Sequence, residues 1–107
     1  MPQITIPIGS KVSQNNENTI EIRIPGTKFW VEGKKMDNNL WDIYVKDPQT
    51  GYRELTNVNI TTLTFSRLSN TILKSPFPYE GKRAESSELI KKFIKKIIKK
   101  CKTTQQH

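Results

Sequence analysis

Three carboxylates that could act as acids, bases or metal ligands cluster around one predicted hairpin: Asp42, Asp47 and Glu54. Paired carboxylates can transfer protons or hold a divalent cation. However, Asp47 precedes a proline, as turn residues often do. Asp42 lies where a lysine of the neighbouring strand can pair with it. We therefore expect structural roles for these side chains, with no catalytic residue, metal or cofactor.

The chain contains one cysteine and one histidine. Cys101 lies among lysines, which could lower the pKa of its thiol and make it reactive. It also falls on the apolar side of the last predicted helix, so we expect a buried, unreactive thiol. His107 is the last residue, and no Ser-His-Asp arrangement or glycine-rich phosphate loop is present. The sequence therefore predicts a protein that is not an enzyme.

Lysine is concentrated near the end of the chain, where pairs of apolar residues alternate with pairs of lysines. At 100° per residue this order predicts an amphipathic helix over 84–102. The apolar side comprises Leu89, Ile90, Phe93, Ile94, Ile97, Ile98 and Cys101, and the cationic side comprises Lys91, Lys92, Lys95, Lys96, Lys99, Lys100 and Lys102. Residues 85–107 hold seven of the 18 basic residues and two of the 10 acidic ones. Such asymmetry indicates nucleic acid, an anionic membrane or an acidic protein as partner.

A helix of about 15 residues is marginal by itself, so its apolar side needs something to pack on. A β-sheet of the same chain would serve, and so would a protein partner or a second copy bound through Leu89, Ile90, Phe93, Ile94, Ile97 and Ile98. A membrane surface would compete for the same residues. Ser86 or Ser87 could cap the start of the helix.

The preceding part of the chain is predicted to be mainly β-structure. Alternation and turn residues predict strands over 20–24, 28–36, 40–46 and 52–58, with a weaker one over 3–8. Gly33 is a candidate β-bulge, and the residues from Asp47 to Gly51 are typical of a turn. A short helix is expected over 65–73, because Phe65, Leu68 and Ile72 recur at helical spacing.

Aromatic and basic residues lie together on the predicted strands, a combination that can hold single-stranded nucleic acid. Trp41 shares a strand face with Ile43 and Val45, so we expect it in the core. Tyr44 and Trp30 point the other way and are the stacking candidates. The accompanying cations are Arg23, Lys34, Lys35, Lys46 and Arg53.

The whole pattern predicts an α+β fold, with a small antiparallel sheet of four to five strands, a short helix and the basic C-terminal helix. We expect one domain over 1–107, with a strand and flexible loop over 1–18, the sheet over 19–58 and a disordered tail over 103–107. A chain of 107 residues with a formal charge of +8 suits one small soluble domain. Because neither a signal-peptide pattern nor an apolar run of about 20 residues occurs, a cytoplasmic location is expected.

The order of elements resembles two groups of small nucleic-acid-binding domains. Residues 41–44, 47–51 and 60–63 resemble the strand-turn-strand stretch of the transcriptional-coactivator and Whirly type, which implies a sheet that binds single-stranded DNA and a helix that helps dimerise. Residues 41–53, with their Asp-Pro-x-Thr-Gly turn, are similar to the arm-binding domain of tyrosine integrases, which implies a sheet in the major groove. Each resemblance covers at most half of the chain.

The leading hypothesis is a non-enzymatic nucleic-acid-binding protein, binding DNA or RNA, in which the lysine side contacts phosphates and the sheet cations extend the track. The alternative is an interaction subunit of a larger viral or ribonucleoprotein assembly, docked through the apolar helix side. A membrane-surface binder ranks third.

Overall fold

The computed structural model describes residues 18–77 and 86–105. The chain forms a four-stranded antiparallel sheet followed by two helices, which confirms the predicted α+β fold. The strands are β1 (Thr19–Arg23), β2 (Trp30–Lys35), β3 (Leu40–Lys46) and β4 (Arg53–Thr61), and the helices are α1 (Thr62–Lys74) and α2 (Ser87–Gln105). The strands lie in chain order, each beside its sequence neighbour. The predicted strand over 3–8 and nearly all of the predicted first loop lie outside the described residues.

The hairpin of β3 and β4 forms as predicted, and Asp47 builds its turn. The Asp47 N–H donates to the carbonyl of Tyr52 at 2.8 Å, and Asp47 Oδ1 accepts from the Gln49 N–H at 2.9 Å. Gly51 has a φ of 80°, in the left-handed region that glycine adopts without strain. Burial raises the pKa of Asp47, but hydrogen bonds from the Gln49 backbone and from Thr50 hold it below its ordinary value.

One face of the sheet, here called the inner face, is covered by both helices. Alternating side chains of the strands pack there with those of α1 and α2; among the buried residues are Ile20, Ile22, Val31, Trp41, Ile43, Val45, Ile60, Phe65, Leu68 and Ile72. The Trp41 and Phe65 ring centroids lie 5.0 Å apart, and the Trp41 indole N–H donates to Thr62 Oγ1 at 2.9 Å. The core role predicted for Trp41 is thus confirmed.

The expected bulge at Gly33 is wrong. Gly33 pairs regularly with Ile20 on one side and Ile43 on the other. A Cβ at this position would lie 2.4 Å from Phe65 Cζ, so the missing side chain makes room for that ring. The irregularity lies in β4 instead, where the register against β3 shifts and Asn57 has a φ of 63°.

Helix α1 begins at Thr62, three residues before the predicted start, directly after β4. Threonine favours strands, but Thr61 can also cap a helix. Its hydroxyl oxygen accepts from the Thr64 N–H at 3.2 Å, which satisfies one of the unpaired donors in the first turn. The cap explains why an apparently β-like stretch turns into a helix without a connecting loop.

Helix α2 starts after Ser86, whose hydroxyl oxygen accepts from the Leu89 N–H at 3.4 Å. The predicted serine cap is therefore Ser86. The helix continues to Gln105, so it ends later than predicted, and 103–105 are helical where a disordered tail was expected. Its buried side consists of Ile90, Phe93, Ile94, Ile97, Ile98 and Cys101, which join the core, while Leu89 is half-buried. Within the described residues, neither helix has the length and hydropathy needed to cross a bilayer.

Candidate anion-binding surfaces

The exposed side of α2 carries a run of lysines, here called the lysine row. Its exposed members are Lys92, Lys95, Lys96, Lys99 and Lys100. At a rise of about 1.5 Å per residue, the row extends about 12 Å from its first member to its last. The buried side of α2 is packed into the core, so these lysines are held in place by a fixed helix. The side chain of Lys102 lies outside the described part of the chain.

Lys91 does not belong to the lysine row, although the sequence placed it there. It is half-buried, and its Nζ lies 2.8 Å from Glu54 Oε1 and 3.2 Å from Glu88 Oε1. The hydrogen bond that Lys91 donates to Glu54, and then the one that it donates to Glu88, raise the pKa of Lys91 above its ordinary value. Lys91 therefore anchors α2 to β4 and offers little charge to a ligand.

Glu54 is the centre of this anchor. Its carboxylate accepts hydrogen bonds from Lys91, from the Tyr52 hydroxyl and from Ser87 Oγ, the last at 3.1 Å. The hydrogen bond from Lys91, followed by that from Tyr52, lowers the pKa of Glu54 to about 2. Glu54, a candidate acid or base in the sequence, is thus held ionised as a structural partner of Lys91.

On the other side of the sheet, here called the outer face, Lys46 of β3 and Arg53 of β4 are paired with acids of β1 and β2. Lys46 Nζ lies 2.6 Å from Glu21 Oε2 and 3.8 Å from Glu32 Oε2. Arg53 Nε donates to Glu32 Oε1 at 2.5 Å. Both glutamates are buried, with 5% and 6% of their surface exposed. Lys46 and Arg53 therefore neutralise acids of their own sheet.

The stacking candidate Tyr44 already has a partner. The guanidinium carbon of Arg53 lies 3.6 Å from the centroid of the Tyr44 ring, a cation–π contact. Burial lowers the pKa of Arg53, but the hydrogen bond to Glu32 and its negative charge raise it above the ordinary value. One face of the Tyr44 ring is thus covered by a cation fixed in an ion pair, while Trp30 is half-buried at the same end of the outer face.

The remaining predicted cations are scattered. Arg23 and Lys34 are exposed on the outer face, where Lys34 lies across from Asp42. Lys35 is half-buried and lines an open cleft of about 590 Å³ with Lys34, Met36 and other residues at one end of the sheet. Asp42 accepts from Asn59 Nδ2 at 3.2 Å.

The two sets of predicted cations lie on opposite sides of the molecule. The helices cover the inner face, so the lysine row points away from the sheet, while Lys46, Arg53 and Tyr44 lie on the outer face. A helix layer about 10 Å thick and the sheet itself separate them. The structure therefore does not join the helix and sheet cations into one flat track.

The acids that neutralise the outer face are not recognisable in the sequence. Glu21 and Glu32 alternate with apolar residues, so they read as ordinary exposed positions. Only the strand register places them near Lys46 and Arg53. Glu21 pairs with Glu32, Glu32 pairs with Tyr44, and Lys46 and Arg53 pair with each other two residues further along β3. Within the described residues, no group of three or more His, Cys, Asp or Glu could hold a metal ion.

Comparison of the chain with protein-family models, with curated proteins and with solved structures finds no match in any of the three. The two resemblances noted in the sequence therefore stay predictions.

Proposed function

We propose that this chain is a non-enzymatic nucleic-acid-binding protein of the cytoplasm that contacts phosphates through the lysine row of α2. The observation that carries the proposal is the exposure of Lys92, Lys95 and Lys96 on a helix whose opposite side is buried in the core. A flexible basic tail would have to be ordered on binding. A packed helix presents its charges at fixed spacing without that cost.

The dimensions of the row suit a nucleic-acid backbone. Each strand of a duplex advances about 3.4 Å per phosphate, so a row of about 12 Å spans three to four phosphates. Lysines binding phosphates release condensed counterions, which makes affinity fall steeply as salt rises. Such contacts are independent of base sequence, so the proposed binding is mainly electrostatic.

The cations of the outer face that are already paired favour α2 as the main contact with the nucleic acid. A single-stranded ligand stacked on Tyr44 would compete with the Arg53 guanidinium, which is also bonded to Glu32. Lys46 is similarly committed to two glutamates. Phosphate contacts through α2 require no such rearrangement.

Docking of a protein partner or a second copy through the apolar side of α2 is the alternative. The residues that would form that interface, Ile90, Phe93, Ile94, Ile97 and Ile98, are buried in the chain's own core. A partner that bound there, or a membrane that took up the same residues, would have to displace α2 from the sheet.

The test is a titration of fluorescently labelled oligonucleotides, single- and double-stranded DNA and RNA, at several salt concentrations. With three to four phosphates neutralised, we expect a log–log slope of about −3 to −3.5 for duplex DNA and about −2 to −3 for single strands. The double variant Lys95→Glu/Lys96→Glu should abolish binding at moderate salt while the circular dichroism spectrum stays unchanged.

Arg23→Glu/Lys34→Glu is the matched control, because it makes the same change of charge on the opposite side of the sheet. It should retain most of the affinity. No binding of any oligonucleotide at low salt would reject the proposal, and an equal loss in both double variants would reject the lysine row as the contact.

A further inference from the structure

A cleft between the two helices has the features of an anion site. It has a volume of about 280 Å³ and is lined by Arg67, Asn70 and Thr71 of α1 and by Lys100 and Cys101 of α2. Two of these side chains are cations, and none is a carboxylate. With a water occupying about 30 Å³ of liquid, the cleft has room for a small oxyanion and some of its hydration.

Arg67 is the main observation. Its Nη1 atom is buried, and it has no hydrogen-bond partner in the described part of the chain. Buried polar groups are nearly always hydrogen-bonded, and a charged donor without an acceptor is the most unfavourable exception. Each unpaired buried group therefore requires an explanation, and a ligand that supplies the acceptor is one.

Within the described part of the chain, neither helix supplies a carboxylate as that acceptor. Helix α1 contains no acidic residue, and the only one in α2 is Glu88 in its first turn, where it pairs with Lys91. The second half of α2 instead adds lysines near the cleft. The local charge is thus positive on both helices, which favours an anion brought from outside.

The donors of the cleft suit a phosphate group. Arginine presents a planar set of N–H donors that matches two phosphate oxygens at once, and lysine adds a point charge. The Asn70 amide can add a further donor. Thr71 cannot use its proton there, because its hydroxyl donates to the Arg67 carbonyl at 2.8 Å. Two cations match a phosphate dianion better than a carboxylate, which carries one charge.

We propose that the cleft between α1 and α2 is a phosphate-binding site in which Arg67 is the principal ligand and Lys100 and Asn70 assist. The site goes beyond the proposed function and does not require it, since inorganic phosphate is a sufficient ligand. A terminal phosphate of an oligonucleotide could also reach it, because Lys100 belongs to both the cleft and the lysine row.

The test is a titration of the ¹⁵N-labelled chain with inorganic phosphate, followed by ¹H–¹⁵N NMR at constant ionic strength set with chloride. We expect saturable shifts at the amides of Arg67, Asn70, Thr71 and Cys101. Arg67→Gln should weaken binding by about tenfold or more, as expected when a hydrogen-bonded charge is removed. Phosphate shifts that do not saturate, or that chloride reproduces, would overturn the proposal.

Lys74→Gln is the matched control, because it removes one exposed charge from the last turn of α1, outside the cleft. It should keep the phosphate affinity within about twofold, as expected for an exposed charge screened by salt. An equal loss in Arg67→Gln and Lys74→Gln would show general attraction in place of a site. If Arg67→Gln alters the fold, Arg67→Lys and Lys100→Gln are tested instead. Phosphate affinity that is unchanged in both of these folded variants would also overturn the proposal.

Two further arms separate the sources of phosphate. An oligonucleotide with a 5′-phosphate should compete with inorganic phosphate better than the same oligonucleotide with a 5′-hydroxyl if the terminal group enters the cleft. Equal competition by the two would leave free phosphate as the ligand. Saturable phosphate binding without oligonucleotide binding would reject only the proposed function, and the reverse result would reject only the cleft site.

Discussion

On the outer face of the sheet, Lys46 and Arg53 lie against buried Glu21 and Glu32, whereas the lysine row of α2 has no acid on its own helix beyond the first turn. The residue types are the same, and both regions read as cationic in the sequence. The difference comes from geometry: antiparallel pairing brings acids of β1 and β2 beside cations of β3 and β4, while a helix keeps its own residues three and four apart as neighbours.

The comparison shows that a count of lysines and arginines overestimates the charge available to a ligand. Arg53 is stacked on Tyr44 and bonded to Glu32, so removing it from the sheet would leave that buried acid with only the longer contact, 3.8 Å, to Lys46. An exposed lysine such as Lys92, Lys95 or Lys96 leaves no buried acid behind when it binds an anion. The two surfaces should therefore respond oppositely to charge substitutions, and three experiments test this.

The largest effect is expected on the outer face, from Glu32→Gln. The variant leaves Lys46 and Arg53 close together without the carboxylate that both contact. Breaking a fully buried pair costs roughly 3–5 kcal/mol. The Arg53 and Lys46 side chains are 39% and 25% exposed, so solvent screening reduces the expected loss. We predict a fall of about 2 kcal/mol in the free energy of unfolding, measured with urea.

Asp37→Asn is the control for this variant, because it removes one negative charge from an exposed position in the turn before β3. It should change the free energy of unfolding by less than about 0.5 kcal/mol. Equal changes in the two variants would mean that the outer-face network adds nothing beyond net charge.

An intermediate effect is expected at the anchor between α2 and β4, and it depends on pH. The pKa of Glu54 is lowered from 4.5 to about 2 in the folded protein, chiefly by the hydrogen bond from Lys91. A group with a lower pKa when folded stabilises the fold above its unfolded pKa and loses that contribution as pH falls towards the folded value. The contribution should thus be complete above about pH 4.5 and absent below about pH 2.

Thermal unfolding of the native sequence and of Glu54→Gln at several pH values measures this contribution. The difference in melting temperature between the two proteins should be constant near neutral pH and should shrink from pH 4.5 to pH 2. The difference in melting temperature between the native sequence and Asp37→Asn, measured at the same pH values, serves as the control. A difference for Glu54→Gln that stays constant through the acidic range would contradict the anchor.

The smallest effect is expected in the lysine row, from Lys96→Glu. The new acid replaces repulsion from Lys92, four residues earlier, with attraction. We predict a rise of about 0.3 kcal/mol in the free energy of unfolding, typical of such pairs. The same substitution at Lys34, which lies across from Asp42, should lower it by a similar amount. Urea unfolding measures both, and a loss at Lys96 larger than at Lys34 would reverse the comparison.

Much of the fold could be read from periodicity. The alternation around Trp41 identified its inward face, and the turn from Asp47 to Gly51 located the hairpin. The separation of apolar residues from lysines identified the buried side of α2. These features are local, so a window of about ten residues contains the signal.

The failed predictions depend on contacts between distant parts of the chain. The Phe65 ring occupies the space that a side chain at position 33 would need, so only glycine fits there. A short sequence window around Gly33 does not include Phe65. The early start of α1 is a local exception, because the Thr61 cap three residues from its partner competes with the strand preference of threonine. The pairing of Lys46 with Glu21 follows only from the register of three strands.

The strand order also has a consequence for how quickly the chain folds. Every pairing in the sheet joins strands that are neighbours in the sequence, and α1 follows β4 without a loop. Such contacts join residues that are close in the sequence, which gives a low contact order. Domains with low contact order fold within milliseconds or faster. We expect the sheet and α1 to assemble first, and α2 to dock afterwards as the Glu54–Lys91 bond forms. The lysine row would then acquire its fixed geometry in the last step of folding.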